Sequence, residues 1–249
     1  MPRFYVNLIL EEKQELTLPL AVVRHIKVLR LYVNSEIALF NGDGNEYLAT
    51  LMVLDKRLVK VWVHTKIIQT KLSKLEIKLA ICLIANDKMD LVIQKAVELG
   101  VNEIIPIISE RSKQIAADKV SNRLLHWHNI IISSTEQCGR NILAKISEPL
   151  AFNQLLDMYS NIELKLICSP QNTKSKLAKI MPKSLLLLVG PEGGFTSSEV
   201  ELAIMHSYQM MQLGQNILRA ETAAIVGLSV VQTIYANFLV NVDDHYEKS

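Results

Sequence analysis

Ile77-Lys-Leu-Ala-Ile-Cys-Leu-Ile84, followed by Lys88 to Leu99 and then Gly100, is the stretch on which the fold turns. Lys78 alone interrupts the apolar run, as expected of a strand buried on both faces in a parallel sheet. In the segment after it, Met89, Val92, Ile93, Ala96 and Val97 fall on one helical stripe, and Gly100 stands where a C-terminal cap belongs. Val101 to Ile108 is the next strand. The alternation continues with a helix from Ser121 to about Gln137, a strand over Ile162–Cys168, a helix over Lys174–Met181 and a buried strand over Leu185–Val189. Thr196-Ser-Ser-Glu199 has the form of a capping box and opens a helix running through His206. A short strand at Met211–Leu213 and a long apolar helix from Glu221 to about Val240 close the series. Such alternation predicts an α/β domain with a mostly parallel sheet covered by helices.

Upstream the pattern is different. Leu16 to Leu20 is extended, and Ala21 to Leu31 has near-helical spacing at Val22, Val23, Ile26 and Leu29. Glu36–Phe40 runs into the turn cluster Asn41-Gly-Asp-Gly-Asn45, and Glu46–Val53 leaves it as a strand. Leu58–Val63 alternates around Lys60. Short strands at this spacing predict a small closed or half-closed barrel. Lys66 to Lys74 reads as a linker. The expected domains are therefore 1–70, a β-barrel, and 74–244, the α/β domain.

Composition sets the class. With 49% hydrophobic and 21% charged residues, the chain can bury a core, which excludes a disordered chain or a disulfide scaffold. No apolar run approaches the roughly 20 residues of a membrane span, and the first residues carry no apolar signal core. Cys82, Cys138 and Cys168 are odd in number and widely spaced, which suits reduced thiols in a cytoplasmic protein. No His/Cys/Asp grouping has metal-ligand spacing; His126 and His128 flank Trp127 and do not share a helix face. Residues 1–72 carry 10 Lys and Arg against 7 Asp and Glu, a mild basic excess compatible with nucleic acid and also with chance.

Ligands of open parallel sheets bind beyond the carboxyl ends of the strands. Two loops at such ends are glycine-rich: Val189-Gly-Pro-Glu-Gly-Gly-Phe195 and Leu213-Gly-Gln-Asn-Ile-Leu-Arg-Ala-Glu-Thr-Ala223. Together they hold Gly190, Gly193, Gly194 and Gly214, four of the nine glycines. Neither a dinucleotide nor a P-loop fingerprint is present. A single arginine in these loops serves a triphosphate poorly. The setting suits a ligand held by backbone amides and apolar walls, such as an adenosine with a short side chain.

These two loops resemble the cofactor site of the SPOUT methyltransferases and, within them, the RsmE family, which methylates N3 of a uridine in small-subunit (16S) ribosomal RNA. Lys88-Met-Asp90 with Lys95 and Glu98-Leu-Gly100, Glu110-Arg-Ser112, Glu136-Gln-Cys-Gly-Arg-Asn141, Arg3-Phe-Tyr5 and His25-x-x-x-Leu-Arg30 extend the resemblance over nearly the whole chain. It implies an N-terminal PUA-like RNA-binding β-barrel and a SPOUT domain with a C-terminal trefoil knot. The implied cofactor is S-adenosyl-L-methionine; the implied partners are small-subunit ribosomal RNA or the assembled 30S subunit and a second copy in a homodimer, with no membrane and no metal. One departure stands out: Asn216 occupies a position where the family usually has arginine.

On that resemblance Leu188, Val189, Gly190, Pro191, Gly193, Gly194, Leu213, Gly214, Ile217, Leu218, Thr222 and Ala223 would hold the cofactor. Arg219, Glu192 and Glu221 are the candidate catalytic residues. Arg219 either places the uracil or pairs with Glu192 or Glu221; Glu192 is a base or a loop cap; Glu221 opens the last helix. Arg3, Arg24, Lys27, Arg30, Lys88, Arg111 and Arg140 are the candidate RNA contacts. Tyr5, Phe40 and Tyr47 are stacking aromatics or barrel core. The alternatives are another RNA, a ribose 2′-hydroxyl as acceptor, or an assembly factor without catalysis.

Overall fold

The computed structural model describes residues 1–68, 75–170 and 181–236. They divide into two compact units, residues 1–72 with 131–143, and residues 73–130 with 144–249. The first unit contains β1 (Arg3–Tyr5), β2 (Gln14–Thr17), α1 (Leu20–Val28), β3 (Glu36–Phe40), β4 (Glu46–Leu54) and β5 (Val59–Ile67). Its five strands lie in the order β1-β3-β4-β5-β2, antiparallel except for β1 beside β3. Period-two alternation sends Tyr47, Ala49 and Leu51 of β4 and Val59, Val61 and Val63 of β5 into one core with Phe4, Ile37 and Leu39. Val22, Val23 and Ile26 of α1 join that core. The β3–β4 turn is shaped by its own side chains. Asn41 Oδ1 accepts from the Asp43 N–H at 3.2 Å, Asp43 Oδ1 from the Asn45 N–H at 2.8 Å, and Gly42 and Gly44 take positive φ.

The second unit contains β6 (Glu76–Cys82), α2 (Asn86–Glu98), β7 (Glu103–Ile108), α3 (Val120–Cys138), β8 (Lys145–Ile146), β9 (Leu150–Ala151), α4 (Phe152–Met158), β10 (Leu164–Cys168), β11 (Ser184–Val189), α5 (Ser197–Met205), β12 (Tyr208–Met211) and α6 (Ala220–Tyr235). Residues of α3 from 131 onward group with the first unit. The strand order is β12-β10-β11-β6-β7-β8, with β9 also beside β7, and every pairing is parallel. One face packs Ala80, Ile105, Ile167, Leu186 and Leu188 against Phe152, Leu155 and Leu156 of α4 and Val200 and Ala203 of α5. On the other, α6 packs on β11 and against α2. The expected α/β architecture is therefore present. Among the described residues no helix is long and apolar enough to cross a membrane, and no group of three or more His, Cys, Asp or Glu could hold a metal.

Three differences from the sequence reading have physical causes. The last strand lies at 208–211 rather than 211–213, because Tyr208 and Met211 supply the buried positions and Leu213 already belongs to the loop. β8 and β9 have two residues each, too few to show a period. Helix α4, absent from the expected elements, is only seven residues long, so its buried positions Phe152, Leu155 and Leu156 complete less than one repeat of a helical stripe. The helix expected at 174–181 lies, except for Met181, outside the described residues, as do the linker segment 69–74 and the end of the last helix beyond 236.

A glycine sets the approach of α6 to the sheet. A Cβ at Gly227 would lie 3.0 Å from Leu187 Cδ2, 3.5 Å from Cys168 Sγ and 3.6 Å from Leu213 Cδ1. Gly227→Val is therefore expected to destabilise the chain by about 1–3 kcal/mol through overpacking, read as a lower urea midpoint at unchanged slope.

Candidate functional site

Because β10, β11 and β12 are parallel neighbours, their carboxyl ends share one edge. Cys168, Val189 and Met211, the last residues of these strands, line a single cavity of about 360 Å³. Small-molecule sites have volumes of roughly 300–1,000 Å³. The two glycine-rich loops form the rest of the wall, so segments around 190 and 215 face each other across one space.

The loop after β11 is built for backbone exposure. A Cβ at Gly190 would lie 3.1 Å from the Phe195 ring, so glycine lets the ring fold over the strand end. Gly194 and Gly214 take φ of +65° and +90°, and a Cβ at either meets nothing within 4 Å. Both face open space in a left-handed conformation that side chains disfavour. Three side chains fasten the loop. Glu192 Oε1 accepts from the Ala85 N–H at 3.2 Å. Arg111 Nη1 donates to the Gly193 carbonyl at 3.0 Å. Glu199, in the first turn of α5, accepts from the Thr196 N–H at 2.9 Å through one oxygen and from the Glu110 N–H at 2.9 Å through the other. With Thr196 Oγ1 accepting from the Glu199 N–H, the expected capping box is complete.

The loop after β12 leads into α6, with Arg219 as its N-cap. Glu221 is buried in the first turn of α6, where the helix dipole favours a carboxylate, and pairs with Lys88 of α2 at 3.4 Å. Burial pushes the Cys168 thiol on the wall up to about 12, which disfavours its thiolate.

Of the expected cofactor residues, Val189, Gly190, Pro191, Gly193, Gly194, Leu213, Gly214, Ile217, Leu218 and Ala223 line the cavity, and so does Glu192. Leu188 is fully buried in the sheet, and Thr222 is exposed on α6; neither is in the wall. Arg219 is exposed and also outside it. Arg111, read from the sequence as an RNA contact, is in the wall. Lys88 is bound to Glu221. Phe195, Gln212 and Glu199 were not singled out as site residues; Glu199 was legible as a cap, but nothing in the sequence revealed its second bond to Glu110.

In the first unit the cations divide. Arg3 forms an ion pair with Glu46 of β4 and donates to the Arg140 carbonyl at 3.0 Å and to Asn141 Oδ1 at 2.6 Å. Burial lowers the Arg140 guanidinium below its ordinary value. Arg24, Lys27 and Arg30, on or just after α1, are exposed. Phe40 and Tyr47 are buried, whereas Tyr32 and Trp62 are the exposed aromatics, 72% and 41% accessible.

The family described as RNA methyltransferase domain matches residues 71–232, and the RNA methyltransferase PUA domain matches residues 21–61. The chain is 32% identical over 214 residues to the ribosomal RNA small subunit methyltransferase E of Buchnera aphidicola, covering 85% of each protein. It is 33% identical over 227 residues to the protein of that name from Mesomycoplasma hyopneumoniae, covering 90% of this chain and 96% of that one. The crystal structure of the Neisseria gonorrhoeae protein of the same name, bound to S-adenosyl methionine, superposes with a TM-score of 0.90 at 37% identity. That superposition covers 96% of this chain and all of the other.

The fastening of the loop is testable. Glu199→Ala leaves the Thr196 and Glu110 amides without their acceptor and is expected to cost about 1–3 kcal/mol. Hydrogen exchange at these two amides should accelerate, while exchange in β6 and β7 follows only the global loss of stability.

Proposed function

The chain belongs to the family of ribosomal RNA small subunit methyltransferases E, and from that membership we propose that it methylates N3 of a uridine in 16S ribosomal RNA with S-adenosylmethionine as donor. The observation that carries the reading is the cavity in which the loops at 190 and 214 meet at the ends of three parallel strands. The residues present fit the donor: its wall is made of strand ends, glycines facing open space and apolar side chains, with few charges. S-adenosylmethionine supplies a methyl group on a sulfonium that is already electrophilic, so the protein's main task is alignment.

Backbone groups of Val189, Gly190, Gly193, Gly194, Leu213 and Gly214, with Ile217, Leu218 and Ala223, hold the donor. Leu188 supports them from the core. Glu192, tied to the Ala85 amide, holds the loop in place and is not required as a base. Glu221, compensated by Lys88, fixes the first turn of α6 and so orients Arg219 at its N-cap. Arg219 is exposed and free to reach the acceptor, where a cation favours the anionic uracil left when N3 gives up its proton to solvent water. N3 lies on the pairing edge, so the target base must be unpaired or turned out of its helix. Arg24, Lys27 and Arg30 supply backbone contacts to RNA from the first unit. We further propose the trefoil knot, a homodimer that acts on ribosomal RNA or the 30S particle, and a cytoplasmic setting, which suits three free cysteines.

Mass spectrometry of small-subunit ribosomal RNA nucleosides tests the reading. N3-methyluridine should be lost when the gene is deleted and restored by the unaltered gene; a level unchanged by deletion refutes the assignment. Arg219→Ala should lower turnover on small-subunit RNA about a hundredfold with donor affinity unchanged.

A further inference from the structure

Arg111 is the one cationic side chain in the cavity wall among the described residues. Its position is fixed twice. The guanidinium donates to the Gly193 carbonyl through Nη1, and the stem lies on the same loop, since a Cβ at Gly193 would sit 3.4 Å from Arg111 Cβ and 3.5 Å from its Cδ. The arginine stem thus packs along the loop at ordinary contact distance. One bond to a carbonyl leaves four of the five guanidinium N–H donors, in a planar fork suited to a carboxylate.

On the reading proposed above, the molecule in this cavity carries two positive groups, a sulfonium and an ammonium, and one negative group, the carboxylate of its methionine part. A guanidinium near either positive group would weaken binding. Opposite the carboxylate it strengthens binding. We propose that Arg111 is a cofactor-binding residue that reads this carboxylate, and that its place in the wall takes it out of the RNA contacts. The bond to Gly193 then has a purpose beyond loop stability, because it aims the fork.

The test compares S-adenosylmethionine with decarboxylated S-adenosylmethionine, which lacks only that carboxylate, by calorimetry on the full chain. The unaltered chain should bind the decarboxylated molecule on the order of tenfold more weakly. Arg111→Ala should lose about that factor more for S-adenosylmethionine than for the decarboxylated form, whose smaller loss reports only the broken tie to Gly193. Arg111→Lys, which keeps the charge but not the fork, should fall between. Equal weakening of both molecules in Arg111→Ala would make the residue a loop clamp only and overturn the proposal. Unchanged affinity for both, with weaker RNA binding, returns it to the RNA surface and also overturns it. If the unaltered chain binds neither molecule, the donor assignment fails and takes this proposal with it; the other two outcomes leave that assignment standing.

Discussion

Parallel pairing of β10, β11 and β12 is the constraint from which the site follows. Parallel strands end on the same edge, and the pairs Ile167 with Leu188 and Cys168 with Met211 keep these three ends level. Segments more than 20 residues apart are thereby brought to one place without any direct attraction between them. What holds the strands is burial on both faces: Leu185, Leu186, Leu187 and Leu188 are all inaccessible to water. A polar residue inside that run would be an unpaired group in a dry sheet, and its cost would fall on the site as well as on the core.

The cavity wall includes four glycines, Gly190, Gly193, Gly194 and Gly214, which contribute main chain alone. Gly194 and Gly214 adopt positive φ and expose backbone to the cavity. Such loops are soft unless tied down, because glycine loses more freedom on ordering than any other residue. The ties are Glu192 to Ala85, Arg111 to Gly193, and Glu199 to Thr196 and Glu110. All come from segments that follow the carboxyl ends of β6, β7 and β11, so the sheet that gathers the site also supplies its fastenings.

Much of this was legible in the sequence because it follows from period and composition. The apolar runs 77–84 and 185–189, the stripe on α2 and the capping box at Thr196 each state a local preference that the tertiary structure keeps. The two glycine-rich loops announced a cradle, and the family to which they pointed is the one to which the chain belongs. Other features have no local signature. A two-residue strand such as β8 shows no period, and the Glu199 to Glu110 bond joins residues 89 apart. Arginines look alike in a sequence, and only their neighbours separate Arg111, in a cavity wall, from Arg24, on an exposed helix face.

The same point governs the charge of the first unit. A surplus of three positive charges over residues 1–72 suggested little on its own, and the structure shows why the raw count misleads. Arg3 is taken up by Glu46 and by acceptors at residues 140 and 141, and Lys60 by Glu15 at 2.7 Å. Arg3 is thereby committed within the unit, whereas the Lys60–Glu15 pair lies at its surface. Arg24 and Arg30 form no ion pair among the described residues, and both lie with Lys27 at or just beyond α1. Affinity for a phosphate backbone depends on the cations that can release counterions on contact, not on net charge. A near-neutral protein can therefore present local groups of exposed cations, and Arg24, Lys27 and Arg30 are one such group.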